Sequence, residues 1–289
     1  MLWTKWARIW PRSLVKSGTD KAAPTDQSWH EKRLISVLDR QTEFRPLDAL
    51  VFALHPVPNA VALERTAIGL DANVFLRLSA HPKSVDIIDY LSSTHSAPLI
   101  LPGQAIQEFW NNQLQAVETI AAGLRRKFDL LRIDFEKVDK NFGDYAAQIA
   151  VLLDGFSTEH GHVYEETTVR KTLAFLEMLQ KRASVPYAPR LQFRDIAAQR
   201  KRTRTPPGFR DDGDGDFFIW VDFLTGLQRA RARGQEFARA VLISHDQKVD
   251  WSRAGIAHPI LVAEVRALVD APFEIWTIQK LADEISRAT

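Results

Sequence analysis

The chain has 289 residues, 45% of them hydrophobic, and its 38 lysines and arginines nearly balance 36 aspartates and glutamates for a net charge of +2. That size and apolar content support a large domain with an appendage and a real core. With no cysteine, disulfides, iron-sulfur clusters and thiolate zinc sites are excluded, which fits a reducing, cytoplasmic setting, and no apolar stretch reaches the roughly 20 residues needed to span a bilayer.

Residues 1–63 read as an N-terminal extension, partly helical. Its start interleaves Leu2, Trp3, Trp6, Ile9 and Trp10 with Lys5, Arg8 and Arg12, a basic amphipathic turn of the kind that touches a membrane, serves as a transit peptide, or forms a terminal helix docked on the body. Pro11 cuts it short and no secretory apolar region follows, which favours the last reading. Lys16 to Ser28 is a polar linker, and Trp29 to about Leu54 is expected to be helical, with Leu34, Val37 and Leu38 on one face.

The body, 64–289, alternates strand-like and helical patterns. The apolar run Ala67-Ile68-Gly69-Leu70 stops at Asp71-Ala72-Asn73. A helix carrying Val85, Ile88 and Leu91 follows, then a strand at Leu99-Ile100-Leu101 and a helical segment placing Glu108 one turn beyond Gln104. A helical block spans about 114–205. Leu114, Val117, Ile120, Leu124, Phe128, Leu131, Phe135 and Val138 give it one long buried face, with further helices near 145–156 and 169–179. Thr205-Pro206-Pro207-Gly208 ends the block and delivers the chain to Asp211-Asp212-Gly213-Asp214-Gly215-Asp216, which runs into the apolar helix start Phe217-Phe218-Ile219-Trp220-Val221. A second buried-strand pattern, Ala240-Val241-Leu242-Ile243, ends at Ser244-His245-Asp246. The last strand is expected at Phe273 to Thr277, before a closing helix.

Uninterrupted apolar strands belong to parallel sheets covered on both faces, and ligand sites gather outside the carboxyl ends of such strands. Asp71, Glu108, Asp216 and Asp246 would then share one rim. Carboxylates gathered in this way repel one another unless a hard divalent cation such as Mg²⁺ or Mn²⁺ holds them. Each also has a plain structural reading as a helix cap, turn residue or solvated helix face. Other motifs fail. An EF-hand loop from Asp212 would need Gly where Phe217 stands and Glu where Phe223 stands, and the chain has neither a phosphate loop ending in Lys-Ser/Thr nor zinc-hydrolase histidine spacing. The haloacid-dehalogenase pattern would need Asp where Asn73 stands.

Charge is segregated. Between Arg190 and Arg210 seven basic residues face a single acid, Asp195, a net +6, and the first 21 residues carry +4. The stretch Arg200, Lys201, Arg202 and Arg204 is either a phosphate-binding patch or a solvated face.

These residues resemble the PIN-domain nucleases. The resemblance rests on Asp71-Ala72-Asn73 after the first strand, Glu108 in the helix after the second, Gly215-Asp216 at a helix start and Ser244-His245-Asp246 after the fourth strand. Pro206-Pro207-Gly208-Phe209-Arg210-Asp211, with Trp220, and Asp246-Gln247-Lys248-Val249-Asp250-Trp251 are similar to motifs of one PIN-like subgroup, although Ser244 stands where Thr is more common and Ser252 where a second aromatic often stands. The resemblance covers Ala67 to the C-terminus. It implies a three-layer α/β/α fold with a central parallel sheet and a long helical insertion. It further implies a Mg²⁺- or Mn²⁺-dependent endoribonuclease, with Asp71 and Asp216 as primary metal ligands and Glu108 and Asp246 completing the cluster or orienting water. Asn73 and Ser244 would support those carboxylates, Asp250 would be an outer acid, and Lys248 would contact a phosphate. The implied partner is nucleic acid, RNA foremost, and an inhibitor protein is admissible. Two alternatives stay open: a structure-specific DNA nuclease, and a non-catalytic nucleic-acid-binding or scaffold protein on the same fold.

Overall fold

The computed structural model describes residues 27–54, 61–111, 170–245 and 248–288, with isolated helical positions at 130, 133, 134, 148 and 151. The Trp-rich start, Asp246 and most of the 114–169 helical block, including the proposed long helix and the 145–156 helix, lie outside the described residues.

Two helices come first, α1 (Gln27–Leu38) and α2 (Pro46–Leu54). The single helix expected over 29–54 is therefore split. Arg40 takes a left-handed φ of 59°, and Pro46 opens α2 at a position where its missing N–H costs nothing. Then follow β1 (Thr66–Leu70), α3 (Val74–Ala80), α4 (Ser84–Asp89) and β2 (Leu99–Ile100). Helix α5 covers 103–111 and α6 covers 170–182. The remainder is α7 (Arg190–Arg202), α8 (Gly215–Ala232), β3 (Arg239–Ile243), a hairpin of β4 (Ser252–Arg253) and β5 (Ile256–Ala257), α9 (Pro259–Val269), β6 (Phe273–Trp276) and α10 (Ile278–Ala288). The hairpin was not anticipated; its turn is Ala254-Gly255, both at positive φ, as a two-residue hairpin loop requires.

Four strands form a parallel sheet in the order β2-β1-β3-β6. A parallel bridge between Ser184 and Ile100 extends the β2 edge; counting it, β3 is the fourth strand in chain order. All five residues of β1 and of β3 are buried, as expected of strands covered on both faces. Side-chain alternation sorts them into two cores. Ala67, Ala240, Leu242 and Phe273 join α1, α8 and α9 on one face. Ile68, Leu70, Val241 and Ile243 join α3, α4, α6 and α10 on the other. Helices α1 and α2 are thus part of a layer: Leu34, Val37, Leu38 and Ala49 are buried in the first core.

The topology fixes where a site can form. The chain leaves β1 for β2 on one side, whereas β3 and β6 lie on the other, so the strand order switches direction between β1 and β3. Ligands bind at such switch points, beyond the carboxyl ends of the strands. Leu70 pairs with Ile243, and the next residues on the two strands are Asp71 and Ser244.

Candidate metal centre

Asp71 is almost fully buried, 5% exposed, and accepts from three neutral donors. Ala72 N donates to Oδ1 at 2.6 Å; Asn73 Nδ2 and Ser244 Oγ donate to Oδ2 at 2.8 and 2.6 Å. Asn73 is itself oriented by His245 N, which donates to its Oδ1 at 2.9 Å. Three residues that sequence alone brought forward therefore interlock across the switch point. Asp71 does not cap α3, whose N-cap position is Asn73, without a side-chain cap bond.

Glu108 lies in the second turn of α5. Gln104 Nε2 donates to its Oε1 at 3.2 Å, and a Cβ on Gly215 would collide with the same oxygen, so glycine at the start of α8 lets the carboxylate approach that backbone closely. Burial pushes the Glu108 carboxyl up; the Gln104 hydrogen bond and Lys248 pull it back, while Asp71 and Asp211 push it further up. Glu108 thus feels both other corners of the site. Helix α5 is held in place from beneath: Asp222, fully buried in α8, accepts from Gln104 N at 2.9 Å, Ala188 N at 2.8 Å and both Arg190 guanidinium nitrogens at 2.7 and 2.9 Å.

Asp216 sits inside the first turn of α8, one residue past its start. Its carboxylate does not cap the helix. Oδ2 accepts from Trp251 Nε1 at 2.9 Å and from Lys248 Nζ at 3.3 Å, and Lys248 Nζ also donates to Asp211 Oδ2 at 2.7 Å. Burial, with Asp211 hydrogen-bonded alongside, raises the Asp216 carboxyl to about 7. Burial also pushes Asp211 up, but the hydrogen bond from Asp216 and the Lys248 ammonium outweigh it and leave Asp211 lowered. Two carboxyl groups in contact cannot both ionise cheaply, which raises one of the pair and lowers the other.

Several expectations need correction. Arg200 is not part of a phosphate-facing surface. It is 4% exposed, and its guanidinium bonds Glu264 at 2.7 Å and the Pro206 carbonyl; the cause is helical phase, since Phe193, Ala197 and Arg200 form the buried face of α7. Lys201 is drawn to the acidic loop, bonding Asp212 O at 2.8 Å and Asp214 at 3.0 Å, whereas Arg202 and Arg204 are exposed. Asp250 is fully buried rather than on the rim. Its Oδ2 accepts from Gly208 N at 3.0 Å, and a Cβ on Gly208 would stand 3.0 Å from the Cβ of Asp216, so Asp250 acts on the site by fixing the loop that backs Asp216. Lys248, the residue expected to contact a phosphate, is placed against Asp211 and Asp216. Asp246 lies outside the described residues.

Sequence reasoning assigned no site role to Asp211, Asp222 or Trp251. Trp251 is 1% exposed and packs edge-on against Trp220 at 6.1 Å, yet its indole N–H also serves the site. A lone aspartate within the apolar run of α8 was the available signal for Asp222, because an acid there must find strong partners.

The donor set, Asp71, Glu108, Asp211 and Asp216, is all carboxylate oxygen, the chemistry that Mg²⁺ and Mn²⁺ prefer. The Lys248 ammonium bonds two of these groups, Asp211 and Asp216. Among the described residues, however, no three carboxylates or imidazoles stand close enough to ligate one ion. Compared with known proteins, the chain matches no family model, no curated protein sequence and no solved structure.

Proposed function

We propose that this protein is a metal-dependent endonuclease of the PIN type, acting on RNA, with Mg²⁺ or Mn²⁺ held by Asp71 and Asp216 and supported by Glu108, Asp211 and Asp246. The observation that carries this reading is the gathering of four carboxylates from separate elements at the switch point of a parallel sheet, with Lys248 bonded to two of them. The metal would supply a deprotonated water as nucleophile and neutralise charge on the phosphoryl oxygens. The chain's own residues prepare for it. Ala72 N, Asn73 and Ser244 fix both oxygens of Asp71; Trp251 and the backing of Gly208 by Asp250 fix Asp216; Asp222 anchors the helix that presents Glu108. Arg202 and Arg204, exposed at the end of α7 and just beyond it, offer charge for the phosphate backbone.

A second reading, a nucleic-acid-binding protein without catalysis, draws on one observation: no three ligand groups converge among the described residues. The deciding experiment is purified protein with end-labelled RNA and DNA in Mg²⁺, in Mn²⁺ and in chelator, with Asp71→Asn alongside. Metal-dependent cleavage of RNA that Asp71→Asn abolishes supports the nuclease. Retained binding without cleavage under every condition supports the second reading, and cleavage of DNA alone would redirect the substrate.

A further inference from the structure

Helix α8 begins at the carboxylates, and its other end borders a cavity. The cavity, about 280 Å³, lies between the last turns of α8, the first turns of α1 and the start of α7, and is close to the roughly 300 Å³ at which small-molecule sites begin. Arg229, in its wall, stands more than three turns beyond Asp216 in α8, about 20 Å along the axis, so the cavity is separate from the candidate metal centre. Buried Leu34 and Phe193 supply its apolar side. On its polar side, Gln228 is 5% exposed and its Nε2 has no hydrogen-bond partner among the described residues; His30 Nδ1, on α1, is likewise buried and unpartnered there. Buried polar atoms are rarely left so.

Charge points the same way. Arg229 and Arg233 line the cavity one helical turn apart. Among the described residues the Arg229 guanidinium reaches the Tyr187 carbonyl at 3.4 Å and no carboxylate. Burial and Arg233 push it down from the usual arginine range, against the weaker upward pull of Glu31 and Asp222. Arginines at a helix C-terminus are ordinarily explained by the dipole and the free carbonyls, and Arg231 fits that account, bonding the Phe237 carbonyl at 2.7 Å. Arg229 and Arg233 instead line a cavity that also holds two unpartnered atoms. Glu31 is the only acid in its lining, and Asp222 is already held by Arg190. In the adjoining chain Lys32, Arg33 and Arg194 are exposed against Asp195 and Glu236, so bases outnumber acids in and beside the lining.

We propose that this cavity binds a small phosphate monoester of mononucleotide type, with Arg229 and Arg233 on the phosphate, Leu34 and Phe193 against the base, and Gln228, His30 and Glu31 offered to its polar edge. A phosphate monoester carries about −1.5 to −2 charges at pH 7, which suits two guanidiniums, and Arg–phosphate hydrogen bonds are charge-assisted. A base adds an apolar face together with the donors and acceptors that Glu31 and Gln228 can pair with. The site does not depend on the nuclease reading, and it is tested in chelator by calorimetric titration of the full-length protein with adenosine 5′-monophosphate. Binding should saturate at one site. The double variant Arg229→Gln, Arg233→Gln should weaken it at least about tenfold, and so should Ala232→Trp, which fills the cavity and leaves every polar group in place. Arg194→Gln, an exposed position of α7, should bind as wild type. Adenosine and inorganic phosphate, each supplying one part of the ligand, should bind at least about tenfold more weakly than the monophosphate. No saturable binding, unchanged affinity in either the arginine double variant or Ala232→Trp, or equal binding of adenosine would overturn the proposal. So would binding that Asp71→Asn abolishes, because the ligand would then lie at the strand ends.

Discussion

Glu264 and Asp222 are at least as buried as Asp71, yet their surroundings differ in kind. Glu264 accepts from Arg40 at 2.8 Å, Arg200 at 2.7 Å and Trp220 Nε1 at 2.7 Å; Asp222 accepts from Arg190 twice and from two backbone amides. Each of these carboxylates has at least one guanidinium of its own. At the switch point Lys248 bonds Asp211 and Asp216, while Asn73, Ser244 and Gln104, all neutral, donate to Asp71 and Glu108. Under the proposed function, the difference separates acids that hold the fold from acids available to a cation: burial alone does not distinguish them, but the kind of partner does.

Breaking the first group should cost folding. Glu264→Gln leaves the buried Arg200 guanidinium without its counter-charge, and we expect a loss of about 3–5 kcal/mol in denaturant unfolding, unaffected by divalent cations. At the switch point the same kind of change should act differently. Lys248→Met removes the ammonium from Asp211 and Asp216, and should lower apo stability by no more than about 1 kcal/mol while tightening Mn²⁺ binding about fivefold in a calorimetric titration. Lys201→Met, which touches Asp214 instead, should change Mn²⁺ affinity less; an equal gain in both variants would mean a general field effect rather than occupancy of the site by Lys248.

Asp216 gives a smaller, pH-dependent effect. The Asp216 carboxyl is raised in the folded state from 3.8 to about 7, so its stabilisation is complete below the unfolded value and is lost as pH rises through about 7. Asp211, shifted downward, titrates below that window. In chelator, the wild-type protein should therefore lose about 1 kcal/mol, roughly 2–4 °C in Tm, between pH 6 and 7, and Asp216→Asn should be flat over that interval. Smallest of all is the effect of the exposed arginines. Neutralising Arg202 and Arg204 together should reduce the salt dependence of single-strand binding by up to about 0.7 per lost contact, with Mn²⁺ affinity unchanged.

Much of this arrangement was legible in sequence because one physical rule produces it. A buried parallel strand must be apolar throughout and can become polar only where it leaves the sheet, so Leu70-Asp71 and Ile243-Ser244 marked both the strand ends and the rim. Glu108 and Asp216 followed from helix starts next to those ends. The misreadings share a cause as well, since partner choice is decided in three dimensions. Arg200 belonged to a run of basic residues along the chain, but three- and four-residue spacing from Phe193 and Ala197 turns it inward to Glu264. Lys248 and Asp211 are 37 residues apart, and nothing local in either stretch says that they meet. Trp251 was readable as core from its size; that its N–H would serve Asp216 depends on the hairpin after it and on the approach of α8.

The central claim is that the switch-point carboxylates bind a divalent cation, and thermal unfolding of wild type and Asp71→Asn across a Mn²⁺ series tests it most directly. We predict that wild-type Tm rises with Mn²⁺ in step with site occupancy, while Asp71→Asn, folded and of similar Tm in chelator, stays flat. Equal rises in the two proteins, or none in the wild type at millimolar Mn²⁺, would contradict the account.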